Sequence, residues 1–170
     1  YSTTLEKMGY DPLPQHREPS ESPVSTPELY KEYPYILITG ARPPGFFHTE
    51  NRQIGRLREL HRDPIVEIHP DTAAKEKIKE GDWVIIESRR GSVRQRARLA
   101  LGRDPRIVAA QHAWWFPENK DPGHGWDESN INILTDNALE SCDPAMGASN
   151  IRTLLCRIYP EKKASYEKKE

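Results

Sequence analysis

Apolar residues along this chain fall in short runs and period-two alternations, not at the three- and four-residue spacing of an amphipathic helix. Residues 35–39 form a strand-like run that stops at Gly40, and residues 64–68 form a second. Residues 83–87 are a third strand, entered through the turn Gly81-Asp82. Arg90-Gly91-Ser92 then turns a hairpin into a fourth at 93–101. Residues 106–110 give a fifth strand and 152–158 a sixth, stopping before Pro160. One helix is predicted, over residues 70–79, with Pro70 or Asp71 at its start and Ala73, Ala74 and Ile78 on its apolar face. Residues 117–150 are rich in Pro, Gly, Asn and Asp and read as one long irregular loop. Six short strands, few helices and one long loop fit a closed β-barrel, because closure removes exposed strand edges.

Composition sets the boundaries. Between Asp11 and Glu28 stand Pro12, Pro14, Pro19, Pro23 and Pro27 among Ser, Thr, Glu and Gln. Such a stretch buries too little apolar surface to offset its ordering, so residues 1–32 read as an extended Pro-rich linker. Residues 33–160 form the barrel, and residues 161–170 are a charged tail. The chain's 170 residues suffice for one domain with a core, and 15 prolines with 8% aromatics favour a loop-rich β architecture. With 25 Lys+Arg against 26 Asp+Glu, no global field points to nucleic acid or a membrane surface. No apolar run reaches the ~20 residues of a spanning helix, so a soluble protein is expected. Cys142 and Cys156 have no metal-ligand spacing and leave the question of a disulfide open.

Several segments recur in a recognisable order. Leu37-Ile38-Thr39-Gly40-Ala41-Arg42 precedes Phe46-Phe47-His48-Thr49 and Arg52, and Val66-Glu67-Ile68-His69-Pro70 follows. Then come Glu87-Ser88-Arg89-Arg90-Gly91, Trp114-Trp115-Phe116-Pro117, Asn130-Ile131-Asn132-Ile133-Leu134-Thr135 and Asp143-Pro144. From about residue 33 to 160 this resembles the C-terminal molybdopterin-dinucleotide-binding domain of the dimethyl sulfoxide reductase family of molybdenum or tungsten oxidoreductases. The resemblance implies a mainly β fold, a six-stranded double-psi β-barrel with short helices and a long loop. It implies bis-molybdopterin guanine dinucleotide, with Mo or W, as the cofactor of a parent enzyme. The catalytic and iron–sulfur domains of the same parent chain are the implied partners, with neither nucleic acid nor a membrane span. The parent is expected in the cytoplasm or the periplasm, and the 170 residues alone are expected to bind without catalysing.

Each implied site residue also has a plainer reading. Thr39, Gly40 and Arg42 leave a strand where backbone amides and a guanidinium fork suit a pyrophosphate, but a Gly turn beside a surface Arg has the same pattern. Pro43 and Pro44 lack N–H groups, so the loop is no cradle of consecutive amides. Ala41 separates Gly40 from Arg42, where the family runs Thr-Gly-Arg directly. His48 and Thr49 can donate to pterin or phosphate, and a solvated loop histidine is the alternative. Arg52 is a further phosphate candidate. Either Asn130 or Asn132 can pair with the edge of a guanine or pterin ring, and Asn is also a common turn residue. Arg152 reads as a basic residue directed at the cofactor or at solvent. His112 and Trp114 open the long loop, and adjacent Trp114 and Trp115 cannot both face one side of a strand.

Arg94, Arg96 and Arg98 share one strand face, either solvated or turned to another domain. They are the one feature favouring an RNA-binding module. A double-psi barrel serving as a protein-interaction module is the other alternative, and it has no need for the polar set between Thr39 and Arg52. A self-processing decarboxylase is disfavoured, since Gly91-Ser92 sits in a plain hairpin turn.

Overall fold

Six strands pair edge to edge until the first meets the last. The computed structural model describes residues 1–40, 43–143 and 145–162. The strands are β1 (Tyr35–Thr39), β2 (Ile65–Ile68), β3 (Trp83–Ser88), β4 (Gly91–Leu99), β5 (Ile107–Ala110) and β6 (Leu154–Pro160). They close a barrel in the order β1-β5-β2-β4-β3-β6. β1 runs parallel to β5 and β2 parallel to β4, while the other four pairings are antiparallel. Exchanging β1, β2 and β3 with β4, β5 and β6 reproduces the same cyclic order, so the barrel has a two-fold topology. This is the mainly β barrel that the pattern and the resemblance led us to expect.

Alternation explains the closure. On β3, Val84 and Ile86 point inward, and on β4 Val93, Gln95 and Ala97 do. With Leu37, Val66, Ile68, Val108, Leu154, Cys156 and Ile158 they fill the interior. Each fully buried Leu, Ile or Val contributes about 1.5–3 kcal/mol. Burial also pushes the Cys156 thiol up, so it is a core residue and not a nucleophile.

The short helices are α1 (Thr3–Lys7), α2 (Pro27–Glu32), α3 (Gly55–Leu60), α4 (Pro70–Lys75) and α5 (Trp126–Ser129), with 3-10 turns at Ile131–Ile133 and Leu139–Ser141. Pro70 starts α4, and His69 Nδ1 accepts the Asp71 N–H at 3.1 Å. The helix expected to reach residue 79 stops at Lys75, because Lys77 turns left-handed at φ 59° and Ile78 folds back to bond Ala73 O at 2.8 Å.

Two further boundaries moved. The hairpin turn is Arg89-Arg90, with Gly91 already paired to Ser88. The last strand begins at Leu154, not residue 152, because Asn150 takes up the backbone before it. Its Oδ1 accepts from Arg152 N–H (3.3 Å) and Thr153 N–H (3.2 Å), and its Nδ2 donates to Thr153 O (2.8 Å).

The Pro-rich entry is not wholly extended. α1 and α2 lie within residues 1–32, and Glu21 and Ser22 are both buried. Of the expected tail, residues 163–170 lie outside the described residues.

Candidate functional site

Strand direction decides which loops meet. The C-terminal ends of β1, β3 and β5 and the N-terminal ends of β2, β4 and β6 lie at one end of the barrel, here called the rim. Residues 40–64, the Arg89-Arg90 turn and residues 111–153 all emerge there, and the shorter connections 69–82 and 100–106 lie at the far end. Every described candidate is therefore on or beside the rim: Thr39 and Gly40 after β1, His48, Thr49 and Arg52 in the following loop, and His112 and Trp114 after β5. Asn130, Asn132 and Arg152 lie in the long connection before β6. Arg42 lies outside the described residues, as do Ala41 and Pro144.

At the end of β1 the backbone comes close to β5. Thr39 pairs with Ala110, and the Gly40 N–H donates to Ala110 O. A Cβ at Gly40 would lie 2.9 Å from that oxygen, so only glycine fits.

The loop that follows is stitched to the segment after β5. Arg52 Nη2 donates to His48 O (3.0 Å) and Nε to Ala113 O (3.1 Å). Its guanidinium lies 4.1 Å from the Trp114 ring centroid and 4.7 Å from that of Phe46. Trp115 Nε1 donates to Thr49 O at 2.7 Å. These contacts bring the His48 and His112 rings to 5.4 Å, edge to face, with Phe47 against His48 at 4.6 Å.

Exposure divides the candidates. His48, Thr49, Asn132 and Arg152 are exposed, whereas Arg52 is 1% exposed and Trp114 0%. Neither buried side chain is presented at the rim surface: Trp114 is packing beneath the loop, with Arg52 laid over it. Arg52 Nη1 and Trp114 Nε1 are both buried without a partner. Burial, then the neighbouring Arg58, pushes the Arg52 pKa down to about 10, which still leaves it charged at neutral pH.

One side chain that pattern reading passed over joins the two long loops. Gln95 is fully buried; its Oε1 accepts the Gln111 N–H (2.9 Å), and its Nε2 donates to Gln111 O (2.8 Å) and Ser129 O (3.1 Å). The backbone next to His112 is thus tied to the backbone next to Asn130. The available signal was an amide at an inward position between Val93 and Ala97. Asn130 Oδ1 accepts the Asn132 N–H at 3.1 Å and starts the 3-10 turn. That occupies one carboxamide and leaves the exposed one on Asn132. Ile131 and Leu134, both buried, close the barrel at this end.

Across the barrel the rim carries an ion-pair cluster with no local sequence signal. Arg90 Nη2 meets Glu21 Oε1 (2.5 Å) and Asp136 Oδ2 (2.6 Å), and Arg89 Nε meets Glu21 at 2.7 Å. The Ala138 N–H, then Arg90 and Ser141, hold Asp136 at about 2 against the opposing effect of burial. By contrast the arginine strand is neutralised. Arg94 pairs with Glu128 and Glu161, Arg96 with Asp63, and Arg98 with Glu67. Arg94 and Arg96 also stack on Trp83. That removes the free cationic face an RNA-binding reading depends on.

The rim suits an extended anionic ligand. Its exposed candidates are donors (imidazole, hydroxyl, carboxamide and guanidinium), and the carboxylates Glu21 and Asp136 are already paired. The Gly40 step leaves backbone where a side chain would intrude. Among the described residues no group of three or more His, Cys, Asp or Glu is placed to hold a metal, and no helix is long and apolar enough to cross a membrane.

Residues 35–153 match the family model described as molydopterin dinucleotide binding domain. The chain is 44% identical over 147 residues to a dopamine dehydroxylase of Eggerthella lenta, covering 86% of this chain and 14% of that protein. It is 33% identical over 165 residues to the acetylene hydratase of Syntrophotalea acetylenica, covering 94% of this chain and 22% of that protein. The solved acetylene hydratase from Pelobacter acetylenicus superposes with a TM-score of 0.88 at 32% identity, over 94% of this chain and 23% of that one. The chain thus spans less than a quarter of the length of these relatives.

Proposed function

The chain belongs to the molydopterin dinucleotide binding domain family of the dimethyl sulfoxide reductase class, and on that premise we propose that its rim holds bis-molybdopterin guanine dinucleotide within a larger oxidoreductase. When bound, the cofactor supplies the molybdenum or tungsten and the redox chemistry; this domain supplies donors and shape. The Gly40 backbone and Arg42 would hold the pyrophosphate, His48, Thr49 and His112 would donate to the pterin, and the Asn132 carboxamide would pair with a ring edge. Arg152, exposed in the connection before β6, adds a positive charge at the rim. The catalytic and iron–sulfur centres belong to other domains of the parent.

The observation that carries this reading is the Gln95 bridge. It joins the backbone beside His112 to that beside Asn130, so donors far apart in sequence share one rim, as an extended dinucleotide requires. The test is pterin and metal content of the full-length protein carrying His48→Ala with Asn132→Ala. Hydrogen bonds of about 1–3 kcal/mol lost at each of the two positions imply at least a tenfold loss of retention. Unchanged content would overturn the assignment.

A further inference from the structure

Arg52, at 1% exposure, is the least accessible charged side chain among the described residues, and no carboxylate among them pairs with it. A phosphate anchor would turn its fork outward. This one is turned inward, onto the carbonyl of His48 in its own loop and that of Ala113, 61 residues further along the chain than Arg52. Both carbonyls belong to residues in the left-handed region, His48 at φ 50° and Ala113 at φ 58°. For a non-glycine residue that conformation costs about 1–2 kcal/mol, so it persists where the surroundings hold it. Asn51, at φ 70°, makes the turn that sends the Arg52 side chain under the loop. Phe46 and Trp114 then take the guanidinium against their rings, an attraction that offsets part of its lost hydration.

We propose that Arg52 is a positioning residue: its guanidinium pins the carbonyls of His48 and Ala113 and thereby sets the His48 ring against His112 as a preformed pair. That this pair then faces the pterin rests on the functional reading above. The pin itself does not. A lysine keeps the charge but has no planar fork to reach both carbonyls along its stem, and a methionine keeps most of the stem with no donors. Charge and geometry are therefore separable.

The experiment uses the full-length protein with Arg52→Lys, Arg52→Met and His48→Ala, singly and combined. Amide hydrogen exchange over residues 43–52 and 111–116 is expected to accelerate about tenfold or more in both Arg52 variants alike. Pterin content is expected to fall to the same level in Arg52→Lys, Arg52→Met and His48→Ala, with no further loss when either Arg52 variant is combined with His48→Ala. Exchange and content that stay at the wild-type level in Arg52→Lys would overturn the proposal, since charge alone would then suffice. Losses that multiply would overturn it too, because Arg52 would not be acting through His48. If His48→Ala alone leaves pterin content unchanged, the functional reading fails, and the exchange rates still decide whether Arg52 holds the loop.

Discussion

Two guanidiniums, one buried and one half-buried, sit in different connections of the same rim, and they are satisfied in different ways. Arg90, in the β3–β4 turn, meets two carboxylates, one from the entry segment and one from the long loop. Arg52, beneath the loop between β1 and β2, meets two carbonyls and two aromatic rings and keeps one Nη without a partner. The first is a neutral cluster that fastens chain segments together. The second pins the loop that carries the exposed donors to the segment after β5. On the proposed reading, stability and binding fall to different parts of the rim.

Breaking the first side should have the largest effect. Arg90→Ala leaves the buried Glu21 and Asp136 with the half-exposed Arg89 as their remaining cation, and removing one partner from a buried pair costs about 3 kcal/mol. Urea unfolding of the variant measures it. Arg52→Met, by contrast, removes two hydrogen bonds together with a buried unpaired charge, so global stability should fall by only about 1–2 kcal/mol. Equal costs at the two positions would dissolve the distinction.

The strands were legible in the sequence because period two is a local property, and each run was readable within a few residues. The Arg90 cluster was not, since Glu21 lies 69 residues from its partner and sits in a stretch whose composition says only that it lacks a core of its own. Arg52 was legible as a charge but not as a direction. Nothing in its neighbours announces that Asn51 turns the chain inward. The end of α4 escaped for the same reason, because the left-handed Lys77 has no compositional mark.

Gly40→Ala sharpens the comparison on the binding side. Its Cβ would press on the Ala110 backbone, which cannot swing away as a flexible side chain can, so a cost of about 1–3 kcal/mol is expected. Cofactor retention should fall with it, whereas a loss of stability with full retention would detach the β1 end from the site.

Acid should loosen the Arg90 cluster. Asp136 has its folded pKa held at about 2, below its ordinary 3.8. Its contribution is therefore present above about pH 4 and lost as the pH falls through about 2. Thermal melts between pH 4 and pH 2 should show a decline that Asp136→Asn flattens. The smallest effect belongs to Arg96→Ala, whose partly exposed pair with Asp63 is worth under about 1 kcal/mol.

The central claim, that the rim is the cofactor's face, is tested most directly by hydrogen exchange of the full-length protein with and without its cofactor. Protection on loading should appear in residues 39–52, 111–116 and 129–136 and be absent from residues 69–82 at the far end. Protection at the far end, or none at the rim, would contradict it.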